Sequence, residues 1–537
     1  MLAVTAFAAD LNERGPVMIT VVSSNDFHGY LEPTKPELTG RKPAGGAEFI
    51  ATYIRKIRDQ NPDGFLLLDA GDFMSGSLIS NYTRGKAVVD FYNLIGYDAA
   101  TIGNHEFDFG PRQAGGDPTG VLKDRLAEAS FPILAANIFD RKTGKRLLSP
   151  NLKPFRVVER KGVRIGIIGL STLLTPLTTL PNNIRNLEFR PAAEEVKKIV
   201  PLLRKRGVKM IIVLAHMGGV CETECEGEIA NLAKSLDPSD IDLIVSGHSH
   251  TKIAQRINGI PVVQAYSKGV ALSHVDLYAD ASSGTPMKDQ TKIHQPIIVY
   301  DDPPEGSEFR RSPYSQDDEF KPDPKTRSLM ELYRSMVSKI KDQFVCTNSD
   351  PLFRKVHGES PIGILVTDAM RSYFPGTQVA MYNSGGIRSD LPAGKINYGN
   401  IFEVIPFDNT LVRLKLTGDQ LREILDWGAS RSFGLMAISG IEATLDMAQP
   451  AGQKVKLVTI GGKPVDPYAL YDAVTNDFLL AGGDGYSTFA KGKDITNTYL
   501  LIRDIFEGYL RRLGSVSPPP RGNYTLLNWP FSIQESP

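Results

Sequence analysis

The stretch TIGNHEFDFG, residues 101–110, begins as a strand and ends as a row of polar side chains. Ala99, Ala100, Thr101 and Ile102 are small or β-branched and suit a short buried strand. Asn104, His105 and Glu106 then set an amide, an imidazole and a carboxylate side by side, and Asp108 follows between two phenylalanines. The same construction recurs through the first half of the chain. TVVSSNDFHG delivers Asp26 and His28, LLLDAGDFMSG delivers Asp72, IIVLAHMGG delivers His216, and LIVSGHSHT delivers His248 and His250. In open α/β sheets the carboxyl ends of strands line the ligand crevice, so residues distant in sequence converge there.

Outward from these motifs, residues 17–300 alternate strands with amphipathic helical stretches. VMITVV precedes GGAEFIATYIRKIRDQ, FLLLDAG precedes KAVVDFYNLIG, and VRIGIIGL precedes AAEEVKKIVPLLRKRG. MIIVLAH precedes EIANLAKSL, and IDLIVSGHSH and PVVQAYSKG are strands again. That alternation predicts a layered α/β domain. Residues 301–325, rich in Pro, Ser and charge, read as a connector, and TRSLMELYRSMVSKIKDQ as a helix completing a linker over 301–344. A second α/β domain is expected over 345–517, opening with a helix in which Ser360 is the cap and Pro361 the first residue. Residues 518–537 read as a tail.

Composition narrows the classes. The 537 residues carry 61 basic and 61 acidic side chains, so no global field draws a nucleic-acid polymer or an anionic membrane. The longest apolar runs are strand-length and too short to span a bilayer. Residues 1–16 read as the remains of a signal peptide, with Ala6-Phe7-Ala8 as a small-x-small cleavage pattern, which points to an exported, periplasmic or secreted protein. Cys221 and Cys225 are spaced to close a small disulfide in such a compartment, and Cys346 is left over.

Five of the eight histidines fall in the strand-end motifs. Imidazoles, carboxylates and an amide without thiolates suit Zn²⁺, Mn²⁺, Fe or Co²⁺. Seven such donors are too many for one tetrahedral site and about right for two metals sharing a carboxylate.

The ordered set Asp-x-His, Gly-Asp-x-x-x-Gly, Gly-Asn-His-Glu, a lone strand-end His and Gly-His-x-His resembles the calcineurin-like metallophosphoesterases. The fuller string from NDFHGYLEP to SGHSHT resembles their 5′-nucleotidase and UDP-sugar hydrolase branch, from about Met18 to Phe489. The resemblance implies a two-domain α/β protein: an N-terminal four-layer α/β-sandwich holding two divalent metals, and a C-terminal substrate-binding domain. Asp26, His28 and His250 would hold one metal, Asn104, His216 and His248 the other, and Asp72 would bridge them. His105 would face the phosphoryl group with Asp108 orienting its ring; Glu106 stays open, with a loop-capping acid the more ordinary reading. Two cations would acidify a water for in-line attack on phosphorus.

In the second domain, YNSGGIRSDLPAGKINYGNIFEVIPFDNTL and TNDFLLAGGDGYSTF resemble the family's nucleotide-binding motifs. Carried over, Phe407 and Phe478 would clamp the base, Asp484 would accept from ribose hydroxyls, Asn409 would contact the base and Arg388 would grip phosphate. Taken alone, a Phe beside Ile405 and Pro406 is more often core. The sequence departs from the family at Val356, where an arginine is frequent, with Arg354 and Lys355 nearby, and at Ile364, where a polar residue is frequent. The expected function is metal-dependent dephosphorylation of nucleoside 5′-monophosphates, extending to di- and triphosphates or UDP-sugars. The alternatives are a 2′,3′-cyclic-nucleotide phosphodiesterase with 3′-nucleotidase activity, or a nucleotide-binding protein without turnover.

Overall fold

The computed structural model describes residues 15–113, 115–147, 149–303, 321–354, 358–431, 434–520 and 522–529. The signal-like residues 1–14, most of the connector, and Lys355 and Val356 lie outside them. The chain divides into two compact units, the first built from residues up to 75, 83–175 and 182–333, the second from 76–82, 176–181 and 334 onward.

The first unit holds two large sheets. In one, the strands Val17–Ser24, Phe65–Asp69, Ala99–Thr101 and Ile133–Leu134 run parallel, with Ala271–Ala279 antiparallel beside the first of them. In the other, Val163–Ser171, Met210–His216, Leu243–Ser246 and Ile260–Ala265 run parallel. Period-2 alternation builds the layers from these strands. Along Met210–His216, Met210, Ile212 and Leu214 join Ile19, Val21, Leu66 and Leu68 in the core between the sheets. Ile211, Val213 and Ala215 turn the other way, onto Val196, Ile199 and Leu203 of the helix Ala192–Lys205 and onto Ile229 and Ala233 of Glu228–Ser235. Helices Ala47–Gln60 and Lys86–Ile95 flank the first sheet and bury Ile50, Ile54, Phe91 and Tyr92. Helix, sheet, sheet, helix is the expected sandwich.

The second unit centres on a five-stranded sheet. Val379–Tyr382 runs parallel to Leu470–Asn476, which pairs antiparallel with Thr410–Thr417. The helix Pro361–Tyr373 starts as predicted: the Ser360 side chain accepts from the Gly363 N–H and Pro361 takes the first position, where no N–H is needed. The Pro-rich end does more than trail, since Tyr524–Leu527 adds a parallel strand beside Glu442–Asp446.

Candidate active site

Every polar motif of the first unit follows the carboxyl end of a strand, and the loops lock to one another through the backbone. The Asp26 N–H donates to Gly71 O at 2.9 Å and the His28 N–H to Asp72 O at 2.8 Å, so two loops run side by side. Asp26, His28, Asp72, His248 and His250 all adopt left-handed backbone, with φ of 49°, 50°, 56°, 77° and 57°. Such a conformation is uncommon for residues with a Cβ and turns each side chain sharply out of its strand.

Three donor groups result, each with its ligand atoms within 4.8 Å of one another: Asp26, His28 and His250; His28, Asp72 and His105; Asp72, His216 and His248. Nε2 of His28 lies 2.9 Å from Nε2 of His250, and the latter lies 3.4 Å from Asp26 Oδ1. Nδ1 of His28 faces the Ser75 carbonyl at 3.0 Å and Nδ1 of His216 faces the Ala70 carbonyl at 2.8 Å. Carbonyls only accept, so both Nδ1 atoms carry protons and both Nε2 atoms serve the cluster. Nε2 of His216 meets two acceptors, Asp72 Oδ2 at 3.0 Å and Asn104 Oδ1 at 3.3 Å. Only a positive species satisfies that arrangement, either a proton on His216 or a cation. Burial opposes charge on His216, but the Asp72 carboxylate wins and holds its pKa up, at about 10. Burial and then the charge of His216 push His248 down, to about 3, which keeps it a neutral donor. Burial also works against ionised Asp72, yet His216 and His105 hold its carboxyl well below the usual range. Anionic carboxylates, a neutral His248 and a His216 nitrogen that calls for a positive partner fit a divalent-metal site.

The loops are tied by residues that the motifs alone did not explain. Glu106 receives four backbone N–H groups: those of Gly103 and Asp72 on Oε2 at 2.7 and 2.8 Å, and those of Phe73 and Met74 on Oε1 at 2.8 and 3.2 Å. Burial and the Asp72 charge push its carboxyl up, to about 8. Four donors on two oxygens leave no acceptor for a proton, so we assign the carboxylate. Glu106 is thus the loop-capping acid. Asn25 fastens Asp26, donating to Asp26 Oδ2 and to the Tyr266 carbonyl, both at 2.7 Å, while the His248 N–H donates to both Asp26 oxygens at 2.9 Å. Asp26 itself lies below its ordinary pKa: burial opposes this, and His250 carries it.

His105, the third member of the group with His28 and Asp72, has its ring centroid 5.0 Å from that of His28 and its backbone N–H donating to Asp72 Oδ1 at 2.8 Å. Nδ1 of His105 lies 2.7 Å from Asp108 Oδ2, which also accepts from the Ser75 hydroxyl at 2.8 Å. Asp108 therefore fixes the ring and leaves Nε2 as the nitrogen able to give or take a proton.

In the second unit, sheet pairing brings the motifs expected to bind substrate to one end of the sheet. Arg388 follows the strand Val379–Tyr382, Phe478 and Asp484 follow Leu470–Asn476, and Phe407 and Asn409 precede Thr410–Thr417. The Arg388 guanidinium lies 5.7 Å from the Phe407 ring centroid, and Phe407 is half-buried. Phe478 is buried with Leu479, Tyr486 and Phe489, and Gly483 covers its ring so closely that a Cβ there would come within 2.4 Å. Asn409 is buried as well. Asp484, at φ 52°, accepts from Asn383 Nδ2 at 2.9 Å, and the Asn383 amide oxygen accepts from Asn476 Nδ2 at 2.9 Å. The Trp427 indole N–H holds the Asp484 carbonyl at 3.1 Å. Asn383, Trp427 and Asn476 were not among the expected site residues; Asn383 and Asn476 stand in the two glycine motifs, whereas Trp427, in the helix Gly418–Ala429, carries no local signal. The Arg354 N–H is taken by Asp390 Oδ1 at 2.7 Å, and Ile364 is buried in its helix.

With this geometry in hand, comparison with known proteins is specific. Residues 19–252 match the calcineurin-like phosphoesterase family and residues 344–491 the 5′-nucleotidase C-terminal domain. The chain is 30% identical to the 5′-nucleotidase precursor of Thermus thermophilus, with a TM-score of 0.81, covering 96% of this chain and 100% of that one. It is 28% identical over 556 residues to the venom 5′-nucleotidase of Naja atra, covering 95% of this chain and 98% of that protein. It is also 30% identical over 479 residues to endonuclease YhcR of Bacillus subtilis, covering 86% of this chain but only 37% of that longer protein. The chain is a phosphoester hydrolase that belongs to the 5′-nucleotidase family, joining a calcineurin-like phosphoesterase domain to a 5′-nucleotidase C-terminal domain.

Proposed function

We propose that this protein removes phosphate from nucleoside 5′-monophosphates at a site holding two divalent metals. The observation that carries the reading is the shared carboxylate: Asp72 belongs both to the group with His28 and His105 and to the group with His216 and His248. Asp26, His28 and His250 would hold one cation, Asn104, His216 and His248 the other, with Asp72 between them. Bound there, Zn²⁺, Mn²⁺, Co²⁺ or Fe would lower the pKa of water and neutralise charge on the phosphoryl oxygens. His105, its ring oriented by Asp108, protonates the leaving oxygen or meets the developing charge from Nε2. In the second unit, Phe407 with Phe478 would stack the base, Asp484 and Asn409 would bind sugar and base, and Arg388 would take the phosphate.

Diphosphate bonds, as in nucleoside di- and triphosphates or UDP-sugars, present the same phosphoryl chemistry. A second reading, phosphodiester cleavage, draws support from the likeness to a protein named an endonuclease. Two observations favour export: the Cys221–Cys225 disulfide and the likeness to a venom enzyme. Among the described residues no helix is long and apolar enough to cross a membrane.

The test is hydrolysis by protein stripped of metal and resupplied with Mn²⁺, Zn²⁺ or Co²⁺, read as phosphate from the monoester, as nucleoside monophosphate from the UDP-sugar and the cyclic nucleotide, and as p-nitrophenol from the diester. The substrates are AMP, UDP-glucose, 2′,3′-cyclic AMP and bis(p-nitrophenyl) phosphate. Metal-restored release from AMP, with KM raised in Phe407→Ala, supports the proposal. Turnover confined to the cyclic or diester substrates replaces it with the second reading.

A further inference from the structure

Two histidines that the active site does not use, His274 and His294, meet on the first sheet. The strand Ala271–Ala279 pairs on one side with Val17–Ser24, placing His274 opposite Val22 and Asp276 opposite Thr20. On its other side it pairs with Lys292–Ile293, and the His294 N–H extends that ladder by donating to His274 O at 3.1 Å. His274 and Asp276 are two residues apart on a strand and share one face, opposite to Val275 and Leu277 in the core between the sheets. His294 is the cross-strand neighbour of His274.

The side chains close on one point. The two imidazoles stack at 4.2 Å between centroids, 17° from parallel. Nε2 of His294 lies 2.8 Å from Asp276 Oδ2. Nε2 of His274 is buried and lies 3.3 Å from Asp276 Oδ1 without the alignment of a hydrogen bond. All three ligand atoms fall within 4.8 Å of one another. The carboxylate is held from behind: the Thr20 hydroxyl donates to Asp276 Oδ1 at 3.0 Å, and Asn61 Nδ2 donates to that hydroxyl at 3.0 Å.

A surface His–Asp–His ion pair would account for the short contact to His294. It does not account for a buried ring nitrogen beside a carboxylate with no hydrogen bond to it, nor for a second imidazole stacked on the first. Two imidazole nitrogens and an oriented carboxylate, without sulfur, are a donor set for Zn²⁺ or a similar borderline cation. The His294 side chain is 40% exposed, which leaves room for water to complete the coordination.

We propose that His274, Asp276 and His294 form a divalent-metal site, separate from the active site, that fastens the edge strand Lys292–Ile293 to the first sheet.

The probe is Zn²⁺ itself, with the full chain. Wild type and His294→Ala are dialysed against the same buffered Zn²⁺, and the bound metal per chain is measured. Loss of one equivalent in the variant, with phosphoester turnover unchanged, is the expected result. Equal zinc content in the two proteins overturns the proposal. His274→Gln repeats the measurement should His294→Ala fold poorly. Acylation of His294 by diethyl pyrocarbonate, followed by peptide mass, gives an independent readout in the unmodified protein. Protection of His294 by Zn²⁺ supports the site, and an unchanged rate of modification rejects it.

Discussion

At the scale of single residues, the run Asn104-His105-Glu106 separates into three unlike tasks that composition alone could not assign. Asn104 turns its amide oxygen to His216, His105 pairs with Asp108, and Glu106 faces away to hold four backbone N–H groups. His105→Ala is expected to lower phosphoester turnover by about 10²–10⁴-fold, the usual weight of a positioned acid–base group. Bound metal, measured in parallel, stays at the wild-type level; metal loss would make His105 a ligand instead. Gly103 is as exacting as any charged residue, because a Cβ there would sit 2.1 Å from Asp72 Oδ1 and 2.7 Å from Asp72 N. Gly103→Ala must displace the shared carboxylate, and metal affinity is expected to fall by about 10–100-fold, as when a ligand loses its orienting neighbour. A titration with Mn²⁺ or Zn²⁺ that matches wild type would contradict this. The motif letters Gly-Asn-His-Glu were legible as a site. The separate duties within them depend on neighbours from other loops, which no local pattern encodes.

At the scale of elements, helices and strands followed local rules closely, and the turns between them did not. The helix Gly418–Ala429 carries a full capping box, Thr417 accepting from the Gln420 N–H while the Gln420 side chain accepts from the Thr417 N–H. Thr417→Ala removes half of it and is expected to cost about 1 kcal/mol, read as a lower urea midpoint for the second unit. The helix Ala192–Lys205 runs on through Pro201, as its apolar period predicts, with Val196, Ile199, Val200 and Leu203 buried. Burial of that face outweighs one missing hydrogen bond. Tyr524–Leu527, by contrast, lay hidden in a Pro-rich end, because a short strand supported by a distant partner has no strong pattern of its own. The left-handed backbone at five of the expected metal ligands was equally hidden. Its conformational cost, about 1–3 kcal/mol per residue, is offset by loop-to-loop hydrogen bonds that only the folded chain can make.

At the scale of the whole molecule, the two units have separate apolar cores, one set around the paired sheets and one around the five-stranded sheet. The candidate metal donors all belong to the first unit, and the expected nucleotide contacts to the second. Chelation is therefore expected to lower the thermal transition of the first unit while leaving that of the second in place. Metal at 100 times its dissociation constant stabilises by about 2.7 kcal/mol, and restoring it should restore the transition. A uniform loss across both transitions, seen by calorimetry with and without EDTA, would mean that the units unfold as one.

Read alone, the chain determined its class and its chemistry. Alternating strands and helices specify layers because burial acts on a local period, and the imidazoles and carboxylates after those strands point to a metal donor set because strand ends in parallel sheets face one crevice, while the hydrolase reading came from the resemblance of the ordered motifs to the metallophosphoesterases. Only the tertiary structure decided which polar residue holds which. Asn25 on Asp26, Glu106 under two loops, Asn383 on Asp484, and His274 beside His294 are contacts that the sheets and loops set in place. Their geometry is fixed by strand register and by left-handed turns, and both take shape only when the sheets close on a common core.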